Sequence, residues 1–222
     1  MQNSSINLAL DVSSEIDQFE KRNKLDLHND QKNAIKLAIS NGVCVITGGP
    51  GTGKTTIISC ILEIFKMQRK KTLLLAPTGR AAKRLSETTG LDARTIHRAL
   101  EINYKNDGGL FVYNENNPIS CDAVIVDEVS MVDINLMYNL LKAIPKGAKL
   151  ILVGDKDQLP SVGAGNVLAD ILASETVPVA ELTKIYRQGN NSLIISNAHL
   201  INSGEMPVLD NRSSDFFFEA KQ

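Results

Sequence analysis

The chain has 222 residues, enough for one large domain or for a domain with part of a neighbour. Apolar residues make up 43%, glycine brings that to about half, and 22% are charged, which excludes wholesale disorder. Lys and Arg number 24 against 25 Asp and Glu, a net charge of −1 that excludes a uniformly basic nucleic-acid binder but not a local basic face.

The first 24 residues are polar without a strong apolar period and read as a loosely attached helix or tail. They open Met-Gln-Asn-Ser-Ser, with no basic segment followed by an apolar core, so no secretory signal is expected. Short Val-, Ile- and Leu-rich runs then alternate with longer amphipathic stretches. The spacing predicts strands over 42–47, 72–76, 123–126, 149–153 and 177–182, and helices over 29–40, 54–70, 79–88, 95–100, 134–143 and 167–173. Asn29 or Asp30 is positioned to cap the first helix, and Asp133 the one after the third strand. Apolar runs without alternation belong to strands buried on both faces, so the expected fold is α/β, a parallel sheet with helices on both faces. No run is long enough to cross a membrane.

Residues 104–120 interrupt this alternation. Gly108-Gly109, the apolar run 110–113 and the Asn-rich stretch before Pro118 predict an inserted hairpin. Two roles are open to it: a cover for the sheet edge, or a wedge at a duplex junction with Phe111 or Tyr113 stacked on a base. Cys44, Cys60 and Cys121 lie in or beside apolar segments, with no C-x-x-C pair and with His28, His97 and His199 scattered. Reduced thiols in a cytoplasmic protein, without structural zinc, are expected. The sequence ends as a new strand begins at Ser214-Asp-Phe-Phe-Phe, which reads as a truncation.

After the first strand comes GGPGTGKTT, residues 48–56, which fits G-x-x-x-x-G-K-[ST]. Gly48, Gly49, Pro50, Gly51, Thr52 and Gly53 form a loop whose backbone N–H groups can cradle phosphates, reinforced by the positive end of the next helix. Lys54 is placed to reach the β- and γ-phosphates of ATP, Thr55 to ligate Mg²⁺ through its hydroxyl, and Thr56 completes the cradle. DAVIVDE delivers Asp127 and Glu128 at the end of another buried strand, at the edge where parallel sheets bind ligands. Asp127 suits Mg²⁺ and Glu128 a general base that orients water.

With these stand APTGRAAKRL at 76–85, TIHR at 95–98, DEVSM at 127–131, VGDKDQLPSVGAG at 153–165 and LTKIYRQ at 182–188. In that order the set resembles the superfamily 1 DNA helicases, in the RecD-like branch that includes the exodeoxyribonuclease V alpha subunits and moves 5′ to 3′. The resemblance implies a P-loop NTPase (RecA-like) motor lobe over 25–190, followed by the start of a second lobe at 191–222. It implies ATP and Mg²⁺ as cofactors, and single-stranded DNA and a duplex junction as partners, alone, with other subunits of a helicase–nuclease complex, or fused to a conjugative nickase. By the same resemblance Gln31 reads the adenine edge, Gln158 senses the γ-phosphate, Arg187 stabilises transition-state charge, and Pro77, Thr78, Arg80, Thr95 and His97 contact DNA. Residues 66–105 hold ten Lys or Arg against three Asp or Glu, which fits phosphate contacts. Two other classes remain open: a P-loop phosphotransferase, and a nucleotide-dependent DNA-binding module without turnover.

Overall fold

The computed structural model describes residues 11–103, 110–184, 193–202, 204–209 and 215–219. In chain order its elements are α1 (Val12–Asn23), α2 (Asn29–Ser40), β1 (Val43–Gly48), α3 (Lys54–Met67), β2 (Thr72–Ala76), α4 (Gly79–Thr89), β3 (Ala93–Thr95) and α5 (Ile96–Leu100). There follow the short pair β4 (Ile102–Asn103) and β5 (Leu110–Phe111), then β6 (Ala123–Val126), a 3-10 turn (Val129–Met131), α6 (Ile134–Ala143), β7 (Lys149–Gly154), α7 (Val167–Ser174), β8 (Val179–Leu182) and α8 (Leu193–Asn202).

Six strands form one sheet in the order β3-β2-β6-β7-β1-β8, and every pairing in it is parallel. Successive side chains of a strand point to opposite faces. Cys44, Ile46, Ile125, Ile151 and Val153 therefore pack with α1, α2 and α3 in one core, while Val45, Val124, Val126, Leu150 and Leu152 pack with α5, α6 and α7 in another. This is the expected architecture, with helices on both faces. Because all six strands run the same way, their carboxyl ends share one edge, in the order Thr95, Ala76, Val126, Gly154, Gly48, Leu182.

The chain divides into two compact units, Met1–Lys184 and Ile185–Gln222. In the second unit Asn197 on α8 is buried, and its amide holds the backbone of Val208 from both sides, accepting from Val208 N at 2.7 Å and donating to Val208 O at 2.9 Å.

Three local expectations differ from the structure. Of the two readings for the N-terminal stretch, helix or tail, residues 12–23 are the helix, and it is docked rather than loosely attached. Ile16 (1% exposed) and Phe19 (3% exposed) enter the first core. Glu20 joins α1 to α2 by accepting from Leu27 N at 2.6 Å and pairing with Lys32 at 2.9 Å. His28, not Asn29 or Asp30, caps α2: its Nδ1 accepts from Asp30 N, while Gln31 Oε1 accepts from His28 N. The third is β3, which sequence periodicity did not show. Its Ala-Arg-Thr is too short and too polar to carry a strand signal. Asp133 caps α6 as expected, accepting from Leu136 N at 2.8 Å.

The insert is a hairpin at its base, where Ile102 pairs with Phe111 and Asn103 with Leu110. Residues 104–109 lie outside the described residues. Phe111 and Tyr113 are half-buried against the second core, and the Phe111 ring lies 6.3 Å from that of His97. These contacts anchor the base of the hairpin to the lobe.

Because Phe19 is buried on a helix that sequence alone reads as loose, Phe19→Ala is expected to destabilise the protein by about 3–5 kcal/mol. Denaturant melts measure this; an unchanged midpoint would mean that α1 contributes nothing to the core.

Candidate nucleotide site and its neighbours

The loop from Gly48 to Gly53 leaves β1 at the centre of the carboxyl edge and feeds α3. Gly53 has φ +86°, the left-handed region in which a side chain is strained, and a Cβ there would lie 2.2 Å from the Gln31 amide. At Gly48 a Cβ would meet Leu182 Cβ at 2.8 Å and Thr52 Oγ1 at 2.9 Å. The loop closes on itself, with Thr52 Oγ1 donating to Gly49 O at 2.9 Å. Lys54 Nζ donates to the carbonyls of Gly48 and Gly49, which holds its ammonium inside the loop that backbone N–H groups line. Thr55 and Thr56 occupy the first turn of α3.

Gln31 lies beside the loop, against Gly53. It is 4% exposed, with Oε1 accepting from His28 N at 3.0 Å and Nε2 donating to Thr52 O at 3.0 Å. The capping box of α2 turns this amide inward, where it braces the phosphate loop. Asp30 adds a second tie, accepting from Thr183 Oγ1 at 3.1 Å just after β8.

Two strands away, β6 delivers Asp127 and Glu128. Burial pushes the Asp127 carboxyl up to about 6, and the neighbouring Glu128 charge adds to this. Opposing it are the Glu128 N–H, which donates to Asp127 Oδ1 at 3.0 Å, and the positive charges of Lys54 and Arg84. Glu128 has φ +54° and ψ +41°, left-handed for a side-chain-bearing residue, at a cost of about 1–3 kcal/mol. That conformation starts the tight 3-10 turn and swings the chain away immediately after the carboxylate pair. Thr55 and Asp127 offer hard oxygen donors, the kind Mg²⁺ takes together with phosphate and water. No cluster of three His, Cys, Asp or Glu that could hold a metal occurs among the described residues.

After β7, Lys156 N donates to Thr47 Oγ1 at 3.1 Å, and Lys156 Nζ pairs with Glu181. Gln158 is exposed, and its Oε1 accepts from Ser130 Oγ at 2.6 Å. Thr47 and Ser130 were missed in the sequence, although Ser130 stands inside the DEVSM segment. Arg187 lies outside the described residues.

The DNA-contact candidates meet at the other end of the edge, where Ala76 and Thr95 are in register. Pro77 and Thr78 follow β2, with Thr78 capping α4 by accepting from Ala81 N; Thr95 caps α5 by accepting from Arg98 N. A capping hydroxyl accepts with a lone pair and keeps its hydrogen for a phosphate oxygen. Arg80 and His97 are exposed beside them. The basic stretch 66–105, however, splits. Lys66, Arg69, Lys70 and Lys71 sit at the end of α3 and before β2, at the opposite edge of the sheet, so among the described residues only the part from Arg80 to Arg98 flanks these candidates.

Cys44 and Cys60 are buried, which raises their thiols to about 11 and about 12; Cys121 is half-buried and also raised by burial. Such thiols are unreactive packing groups. No helix among the described residues is long and apolar enough to cross a membrane.

With this geometry in place, a family model described as an AAA domain matches residues 31–164. The chain belongs to this AAA domain family. Its curated relatives carry the resemblance read from the motifs. It is 41% identical over 188 residues to the ATP-dependent RecD2 DNA helicase of Deinococcus radiodurans, covering 85% of this chain and 26% of that protein. It is 38% identical over 204 residues to the RecBCD enzyme subunit RecD of Mycobacterium tuberculosis, covering 80% of this chain and 35% of the relative. The chain thus spans about a quarter to a third of the length of these relatives. Among solved structures, the fold is similar to Pif1 helicase from Candida albicans, with a TM-score of 0.61, 23% identity, and coverage of 82% of this chain and 45% of that one. Bacteroides Pif1 bound to single-stranded DNA gives a TM-score of 0.57 at 22% identity, covering 82% of this chain and 47% of that one.

If Gln31 braces the loop, Gln31→Ala is expected to weaken ATP and GTP binding alike, by roughly 5- to 10-fold. Fluorescent-nucleotide titration measures both. A loss confined to ATP would return Gln31 to the adenine.

Proposed function

We propose that this chain is the ATP-binding and ATP-hydrolysing first motor lobe of a RecD-like DNA helicase that moves on single-stranded DNA. The observation that carries the reading is the order of the carboxyl edge: the phosphate loop, the carboxylate pair, Gln158 and the DNA-contact candidates all follow ends of one parallel sheet. A nucleotide at the loop would share this edge with a strand at Thr78 and Thr95, so a change at either is transmitted through β2 and β6, which are hydrogen-bonded neighbours.

In the proposed mechanism the loop N–H groups and Lys54 bind the phosphates, and Thr55 and Asp127 hold Mg²⁺, which supplies charge neutralisation at the phosphoryl oxygens. Asp127 is suited to this because it is buried beside Glu128, where a cation would offset the paired negative charges. Glu128 takes the proton of the attacking water, and the left-handed turn fixes where its carboxylate sits. Gln158 donates its amide hydrogens to the γ-phosphate. Arg187 adds charge stabilisation in the transition state. Thr78, Arg80, Thr95 and His97 contact the DNA backbone, a mode that suits movement without sequence reading.

The test is the ATPase rate of the full-length protein with and without single-stranded DNA. Stimulation by DNA is expected, and Glu128→Gln is expected to keep ATP binding while lowering turnover by at least about 10²-fold. A DNA-independent rate would favour a phosphotransferase-like enzyme, and no turnover at all would favour a nucleotide-dependent binding module.

A further inference from the structure

The turn that carries the carboxylate pair and the loop that carries Gln158 leave different strands, β6 and β7, yet they touch closely. A Cβ at Gly154 would lie 2.8 Å from Val129 Cγ1 and 3.4 Å from Ser130 N. Across this contact runs a side-chain hydrogen bond, Ser130 Oγ to Gln158 Oε1 at 2.6 Å. Ser130 is 5% exposed, whereas Gln158 is exposed. One end of the bond is thus fixed in the fold and the other is free to move but for the bond.

The backbone of the Gln158 loop has its own anchors. Lys156 N donates to Thr47 Oγ1, Asp157 N to Asp155 Oδ1 at 3.0 Å, and Gln158 N to Asp155 O at 3.3 Å. None of these restrains the Gln158 side chain, which has several rotatable bonds and a considerable entropy to lose on being held. An amide oxygen only accepts, so Ser130 is the donor, and both Nε2 hydrogens are left for another acceptor. Ser130 itself is set by the 3-10 turn that Glu128 begins, where Met131 N donates to Glu128 O at 3.1 Å and Val132 N to Val129 O at 3.0 Å.

We propose that Ser130 is a positioning residue: its hydroxyl holds the Gln158 amide with its N–H groups toward the γ-phosphate, and ties that amide to the Asp127–Glu128 turn. Carboxylate pair and amide then move as one body. The γ-phosphate is read by a group whose position depends on the same turn that places the water-activating carboxylate. This rests on the proposed role of Gln158, and the experiment below separates the two.

The experiment measures the affinity of the full-length protein for Mg²⁺ with a non-hydrolysable ATP analogue and for Mg²⁺ with ADP, in the wild type, Ser130→Ala, Ser130→Thr, Gln158→Ala and the Ser130→Ala/Gln158→Ala double variant. Ser130→Ala is expected to weaken the triphosphate by roughly 3- to 10-fold with ADP affinity unchanged, since only the γ-phosphate meets Gln158. Ser130→Thr, which keeps the hydroxyl, is expected to restore most of the loss. Gln158→Ala is expected to lose at least as much, and the double variant no more than Gln158→Ala alone. Equal losses for triphosphate and ADP in Ser130→Ala would make Ser130 merely structural and overturn the proposal. A loss in Gln158→Ala with none in Ser130→Ala overturns the positioning role alone. No loss in Gln158→Ala overturns both it and the γ-phosphate reading. Should Ser130→Ala fail to fold, Ser130→Cys, similar in size with a weak S–H donor, is measured in its place, with an intermediate loss expected and none contradicting the proposal.

Discussion

Close approach of backbone at the phosphate loop is the constraint on which the carboxyl edge depends. Gly53 lies against the Gln31 amide and Gly48 against Leu182, with no room for a Cβ at either. Those two contacts press the loop against α2 on one side and β8 on the other. From there the ties spread outward. Asp30 reaches Thr183, Thr47 receives the backbone N–H of Lys156, and Ser130 reaches Gln158. Segments far apart in sequence are thereby fixed to one another through hydrogen bonds between strand ends. A phosphoryl-transfer site depends on this, because its catalysis is positioning and electrostatics and not covalent chemistry on the protein.

The same edge carries one strained residue and one buried charge. Glu128 is left-handed and Asp127 is held near a pKa of about 6 by burial beside a like charge. Both are unfavourable in isolation, and the surrounding sheet over-determines them. The strands beneath are buried on both faces, and each face has its own core. A rigid double-sided platform of this kind lets a few unfavourable groups persist without unfolding their surroundings.

The sheet was legible because its strands are short, apolar and buried on both sides. The spans 72–76 and 123–126 coincide with β2 and β6, and the phosphate loop stands between β1 and α3 as its glycine spacing requires. What escaped did so for physical reasons. In α1 only two side chains, Ile16 and Phe19, are fully buried, too few to give a period in a polar stretch. In β3 three residues carry no pattern. The basic run from Lys66 to Lys105 looked like one patch, but a parallel strand sends its two ends to opposite edges, and sequence proximity cannot show that. Gln31 and Phe111 stand out in the sequence for their chemistry, and the structure adds a bracing contact for the first and an anchoring contact for the second. In both cases a neighbour decided: the α2 cap for Gln31, the second core for Phe111.

Everything above turns on the 48–56 loop being a phosphate cradle whose cation is Lys54. Calorimetric titration of Mg²⁺ and ATP into wild type and Lys54→Ala tests this most directly, with circular dichroism to show that the variant keeps its fold. Saturable binding at one site in the wild type, weakened by at least about 10²-fold in Lys54→Ala, is the predicted result. Equal affinity in the two proteins would contradict the account.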